Sequence, residues 1–210
     1  MRTIDEGALL EIFEEARRRG YLGPEPVRRH LDHSLALAQL VDGPPPRLLD
    51  LGSGAGVPGL VLAALWEDAE AVLVDAHQRR CAALEEAAAR LGMAGRVCVR
   101  CERAEVLARA PDLRGRFSLV VARAFGKPAV TAECAAGFLE PGGRLVVTEP
   151  PAGLAEDSVR WPATGLARLG LGPATPMRRD SVGAVAIPAL GPPDERWPRG
   201  VGRPAKSPLW

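Results

Sequence analysis

Residues 48–59 read Leu-Leu-Asp-Leu-Gly-Ser-Gly-Ala-Gly-Val-Pro-Gly, an apolar strand ending in an acid that runs into glycines at every second position. A strand that ends at Asp50 and turns through Gly52, Gly54 and Gly56 into a helix begun near Pro58 is expected to expose backbone N–H groups. It also leaves no Cβ to block a ligand approaching the chain. The spacing is G-x-G-x-G, not the G-x-G-x-x-G of dinucleotide enzymes, and the acid precedes the first glycine. A carboxylate there neutralises an ammonium group on a ligand, whereas a pyrophosphate favours a helix N-terminus without that charge nearby. The stretch therefore favours S-adenosylmethionine over NAD, with Ser53 counted among the loop residues that hold it.

Working outward, Ala71-Val-Leu-Val-Asp75 is a second apolar run ending in an acid. Asp75 lies roughly 20 to 25 residues beyond the loop, where a second parallel strand presents a carboxylate to ribose hydroxyls, with Ala76 beside it. A helix is expected from His77 to Leu91, closed by Gly92. Arg96–Cys101 reads as a third strand, and Arg103-Ala104-Glu105 follows where an adenine edge would lie. Phe117–Ala122 is a fourth, nearly all-apolar strand, as burial on both faces of a parallel sheet requires. Arg123 stands at its carboxyl end, the edge that holds ligands in open α/β sheets. A helix from about Ala129 to Leu139, a turn at Glu140–Gly143 and a fifth strand at Arg144–Thr148 complete the alternation. The pattern implies an α/β, Rossmann-like parallel sheet with helices on both faces.

The chain has 210 residues, 47% of them apolar and 25% charged, enough for one sizeable core. A net charge of +1 argues against nucleic-acid binding by bulk charge, so any RNA contact must be local. No segment has the apolar length of a membrane helix, and Met-Arg-Thr-Ile-Asp-Glu lacks a signal-peptide core; a cytoplasmic protein without a membrane partner is expected. The four cysteines, Cys81, Cys98, Cys101 and Cys134, read as reduced core thiols. Cys98 and Cys101 have C-x-x-C spacing, but no second pair completes a zinc site, so no metal is expected.

Three parts are expected: an N-terminal helical extension over 1–42, the cofactor-binding domain over 43–190, and a basic Pro- and Gly-rich tail over 191–210. In the extension, Ile4, Ala8, Leu9, Ile12, Phe13 and Ala16 share one helical face, stopped by Arg17-Arg-Arg-Gly20. A second helix starts near Val27 and carries Arg28, Arg29, His30, Asp32, His33 and Ser34, a cluster whose plain reading is a solvated first turn. In the tail, Arg196, Arg199, Arg203 and Lys206 suit a phosphate backbone; the alternative is a segment packed back on the domain through Trp197, Leu209 and Trp210. Asp75, Glu105 and Arg123 also have plain readings, as a turn residue, a helix N-terminal acid and a surface ion pair.

The whole-chain pattern resembles the RsmG (GidB) family of bacterial enzymes that methylate N7 of one guanine in small-subunit ribosomal RNA. Asp50-Leu-Gly-Ser-Gly-Ala-Gly-Val-Pro-Gly59 is similar to that family's loop almost position by position. Leu73-Val-Asp75 with Arg79-Arg80, Arg103-Ala-Glu105, Ala122-Arg-Ala124 and the ending Trp197–Leu209 also match its pattern. The resemblance implies a class I S-adenosylmethionine-dependent methyltransferase. On it, Asp50, Gly52, Ser53, Gly54 and Gly56 hold the amino acid portion of the cofactor, Asp75 and Ala76 the ribose, and Ala104 and Glu105 the adenine. Arg123, assigned to both cofactor and substrate, would face the substrate with His30 and Ser34. The implied partner is ribosomal RNA or the small subunit, met by a monomer.

Departures fall on the substrate side. Arg29-His30-Leu-Asp-His-Ser34 has His33 where the family has Asp, with Asp32 one residue off. An Asn-Leu-Thr segment before this helix is replaced by Tyr21-Leu-Gly-Pro-Glu25, and Glu149-Pro150 stands where the family has Lys-Gly. These changes leave open a small-molecule methyltransferase that uses the same cofactor domain. A non-enzymatic RNA-binding protein is the third reading, against which the intact Asp50, glycine loop and Asp75 argue.

Overall fold

The computed structural model describes residues 4–150, 154 and 159–210; of Pro150-Pro-Ala-Gly153, whose composition reads as a loop, all but Pro150 lies outside them. Two helices come first, α1 (Glu6–Arg18) and α2 (Val27–Ala38). Asp5 caps α1 by accepting the Ala8 N–H at 2.9 Å, and Arg17 and Arg18 occupy its last turn, where the helix dipole favours cations. Leu9, Ile12, Phe13 and Ala16 form its buried face, as their spacing predicts.

Five parallel strands follow: β1 (Arg47–Leu51), β2 (Glu70–Asp75), β3 (Val97–Cys101), β4 (Phe117–Ala122) and β5 (Leu139–Glu149). Between them lie α3 (Gly59–Leu65), α4 (Gln78–Arg90), α5 (Ala104–Leu107) and α6 (Pro128–Ala136). After α7 (Ala163–Ala167), β6 (Thr175–Arg179) and β7 (Val182–Pro188) form a hairpin joined to β5 antiparallel, and α8 (Arg203–Lys206) lies near the end. The sheet order is β3-β2-β1-β4-β5-β7-β6. Chain order reverses between β1 and β4, which opens a crevice at their carboxyl ends.

Strand parity divides the core in two. Leu48, Leu73, Leu119 and Val121 pack with α1 to α4, while Leu49, Leu51, Val120 and Ala122 pack with α6 and α7 on the other face. Because both faces are covered, the inner strands β1, β2 and β4 are mostly apolar, each fully buried leucine contributing about 1.5–3 kcal/mol.

Several expectations need correction. Glu140–Gly143 is not a turn before β5 but a bulge inside it: Phe117 pairs with Leu139, and the register has shifted by the time Leu119 meets Arg144. Gly142 and Gly143 are instead tied to β7, through Gly142 N–H to the Ala189 carbonyl (3.0 Å) and Ala189 N–H to the Gly143 carbonyl (2.8 Å). Gly172-Pro-Ala-Thr-Pro176 reads as a loop from its Pro and Gly content, yet the hairpin β6–β7 begins inside it, at Thr175. Cys98 and Cys101 are exposed, because β3 is the sheet's edge strand; only Cys81 and Cys134 are buried thiols.

The C-terminal segment is packed on the body. Arg199 pairs with the fully buried Glu133 and Arg196 with Asp194, so two of the four cations read as a phosphate grip are already neutralised. Arg203 and Lys206 make no ion pair among the described residues.

Candidate active site

The glycine loop leaves β1 at Leu51 and is clamped by two acids. Asp50 Oδ2 accepts the Gly59 N–H at the start of α3 (3.1 Å), and Asp75 Oδ2 accepts the Gly54 N–H (3.0 Å). Gly56, at φ +86°, packs against Leu60 so closely that a Cβ would overlap that side chain. Gly54, at φ +56°, faces open space, the nearest atom to a Cβ being the Gly52 carbonyl oxygen at 3.9 Å.

The loop's donors differ from expectation. Gly52 and Ser53 N–H both donate to the Val74 carbonyl (2.9 and 2.8 Å), and Gly56 N–H to the Ser53 carbonyl (2.7 Å). Ser53 is buried and its hydroxyl donates to the Asp50 carbonyl (3.0 Å), which makes this serine a brace of the loop. Four of the loop's N–H groups are thus bonded internally and do not form a phosphate cradle. The loop offers an acid instead. Asp50 is 1% exposed, its Oδ1 has no partner, and burial pushes its carboxyl up to about 7 despite the Ser53 and Gly59 hydrogen bonds.

A cavity of about 430 Å³ opens beside the loop, bounded by Gly52, Asp75, Ala76, Ala104, Glu105 and Ala205. Asp75 Oδ1 accepts the His77 N–H (2.9 Å) and lies 3.1 Å from His77 Nδ1, while the hydrogen bond on Oδ2 is the one from the Gly54 N–H. Glu105 is also engaged: Oε1 accepts from Arg103 Nη2 (2.8 Å) and from the Gly202 N–H (3.0 Å). Burial opposes its charge, but these two donors hold the carboxyl below its usual range.

A second cavity, of about 530 Å³, lies across the segment Ala124–Gly126 and is bounded by Arg123, His33, Thr148, Glu149 and Arg160. Phe125 lines both cavities and lies over Gly52, where a Cβ would come within 2.6 Å of its ring. Arg123 Nη2 donates to His30 Nδ1 at 2.8 Å; since a guanidinium only donates, this ring nitrogen accepts. Burial, then Arg123, lowers the His30 imidazole, and the same causes carry His33 down to about 4. Both rings are therefore neutral at pH 7.

Ser34 stands apart from the expected substrate side. It is fully buried and its hydroxyl donates back to the His30 carbonyl (2.9 Å), so it supports the helix that carries His30. Glu149 is buried with Arg160 Nε at 2.7 Å and Trp161 Nε1 at 3.0 Å on its carboxylate. Phe125, His33 and Arg160 were not singled out as site residues in the sequence; Phe125 and His33 neighbour the Arg123 and Arg29–Ser34 motifs, while Arg160 carries no local signal.

An unmatched buried acid under the glycine loop, beside a cleft bounded by Gly52 and by a second strand-end carboxylate, fits a ligand with a cationic amino acid end and a nucleoside end. Fold and cleft together define a class I S-adenosylmethionine-dependent methyltransferase. Residues 23–152 match the family described as GidB, rRNA small subunit methyltransferase G, and the chain belongs to that family. The Ribosomal RNA small subunit methyltransferase G of Moorella thermoacetica is 32% identical over 97% of this chain and 87% of its own. Its namesake in Prochlorococcus marinus (strain MIT 9313) is 46% identical over 49% of this chain, a match that spans only 42% of that relative's length. In fold the chain is similar to the O-methyltransferase from Bacillus cereus in complex with SAH, with a TM-score of 0.60 at 16% identity over 87% of this chain and 90% of that one. Among the described residues no helix is long and apolar enough to cross a membrane, and no group of three or more His, Cys, Asp or Glu side chains is placed to hold a metal.

Proposed function

We propose that the chain transfers a methyl group to N7 of one guanine in small-subunit ribosomal RNA, acting in the cytoplasm as a monomer on that RNA or on the small subunit. Bound in the first cavity, S-adenosylmethionine supplies an electrophilic methyl group on its sulfonium. Asp50 neutralises the cofactor's ammonium, and Gly52, on the cavity wall, lets that end approach the backbone. Asp75 accepts ribose hydroxyls beside Ala76, its Oδ2 being the less engaged oxygen, and Ala104 with the backbone at Glu105 borders the adenine.

The observation that carries the acceptor is the Arg123–His30 pair beside the second cavity. Guanine N7 already bears a lone pair, so its methylation needs no general base. His30 is unsuited to be one, because its Nδ1 lone pair is taken by Arg123. A cation at this point instead steers and holds an electron-rich, polyanionic acceptor, and alignment of the two reactants accounts for much of the rate. The near-neutral net charge fits local rather than bulk contact with RNA. Membership of the GidB family and the match to the Moorella relative over nearly the whole chain support the same acceptor.

The test is incubation with methyl-labelled S-adenosylmethionine and small ribosomal subunits lacking their guanine-N7 mark, with naked ribosomal RNA in parallel. Label at a single guanine is expected. Cofactor binding without label in either RNA would overturn the RNA acceptor and point to a small molecule.

A further inference from the structure

The C-terminal segment lies far from the cofactor loop in sequence but bounds the same cavity: Ala205 and Gly52 line one space. The segment is held there by four anchors. Arg109 donates to the Pro198 carbonyl (Nη2, 2.6 Å), and Arg114 to the carbonyls of Trp197 (3.0 Å) and Asp194 (2.8 Å). Arg199 gives its backbone N–H and its guanidinium Nε and Nη2 to Glu133 at 2.7–2.9 Å, on α6. Gly202 gives its N–H to Glu105, on α5. Glu133 and Glu105 are both buried, so losing the segment would strand the Glu133 charge, a strongly unfavourable change, and leave Glu105 with Arg103 alone.

These anchors do more than tether a tail. Glu105 sits where α5 begins, beside Ala104 on the cavity wall, and its carboxylate bonds the very turn that leads into α8. Gly202 makes that turn at φ +75°, which sends Arg203–Lys206 along the cavity edge and brings the small side chain of Ala205 to its surface. We propose that residues 202–205 are the outer wall of the nucleoside end of the cofactor cleft, and that the small side chain at Ala205 sets the room left for the adenine. The inference rests on the reading of this cleft as the S-adenosylmethionine site. Glu105 acts here as a positioning residue, through Gly202.

The test measures binding of S-adenosylhomocysteine and of adenosine to the full chain by calorimetry, for the wild type and Ala205→Trp. Ala205 is exposed, so the larger side chain meets the cavity and not the core. Roughly tenfold or greater weakening is expected for both ligands, by the same factor, with the melting temperature unchanged. Undiminished binding by the folded variant would overturn the wall. Weakening of S-adenosylhomocysteine alone would overturn its assignment to the nucleoside end. A wild type that binds neither ligand would overturn the cofactor site itself, a distinguishable failure. A second measurement needs no variant: tryptic cleavage at the exposed Lys206 of the wild type should slow on adding S-adenosylhomocysteine, relative to cleavage at Arg178 on β6. Equal slowing at both sites, or none, would overturn the proposal.

Discussion

Asp50 and Glu149 are both buried carboxylates at the carboxyl edge of one sheet, yet their surroundings differ in kind. Glu149, at the end of β5, is matched by Arg160 and Trp161 within the chain. Asp50, near the end of β1, has one backbone donor and an oxygen with no partner at all. A buried acid that the chain itself satisfies belongs to the structure, whereas one that it leaves unsatisfied is held ready for a ligand. The pair at β5 has a second consequence. Where the family resemblance leads one to expect a lysine, Glu149 brings Arg160, so a cation still borders the second cavity from an unexpected position.

Arg123 stands between these two regions, and its removal should have the largest effect. Arg123→Ala is expected to lower kcat by about 10²- to 10³-fold, as loss of one preorganised charge does, with S-adenosylhomocysteine affinity unchanged. Single-turnover transfer to RNA and calorimetry separate the two effects. Full turnover by the variant would remove Arg123 from the substrate side and leave the two cavities unconnected in function.

The two acids should then separate under substitution. Asp50→Ala is expected to weaken S-adenosylhomocysteine about 10- to 100-fold with little loss of stability, since the residue it removes is unfavourably buried. Arg160→Ala should do the reverse. It leaves the Glu149 carboxylate with Trp161 as its donor and is expected to cost about 1–3 kcal/mol in urea unfolding, while cofactor affinity holds. If Asp50→Ala destabilised the fold as much as Arg160→Ala, the contrast between a matched and an unmatched acid would be lost.

The same contrast explains what was legible in the sequence. The loop, the strands ending at Asp50, Asp75 and Ala122 and the buried face of α1 were readable because each is local: a period, a terminal acid, a glycine spacing. The arrangement at Glu149 was not, because Arg160 lies beyond residues 151–158 and nothing between them carries a regular pattern. The hairpin β6–β7 was missed for a related reason: Thr175–Arg179 is an edge strand with four of its five residues exposed, so it lacks the apolar run that identified the inner strands. Within the site, Ser53 and Ser34 look functional by position, yet both hydroxyls are spent on carbonyls of their own segments. Sequence names a residue type at a place; whether its bonding capacity remains free is decided by neighbours that only the fold supplies.

The smallest effect, and the most specific to Asp50, is its dependence on pH. Burial raises this carboxyl from 3.8 to about 7, with Asp75 adding to the rise and Arg123 opposing it. Between those values the folded ligand-free chain keeps a proton that the unfolded chain has released, so stability from this group falls as pH rises through that window and levels off above it. Ligand affinity should run the other way. A cationic ammonium pairs with the carboxylate form, so S-adenosylhomocysteine should bind more tightly as pH rises, by up to about tenfold per unit below the midpoint, reaching a plateau above about 7. Calorimetry from pH 5 to 9 beside thermal melts reads both slopes, and Asp50→Asn should flatten the binding curve. Opposite slopes are what an unmatched acid produces, because the ligand supplies the partner that the fold withholds. Two flat curves would mean that Asp50 is satisfied within the chain, as Glu149 is, and would leave the cleft without its cation-binding end.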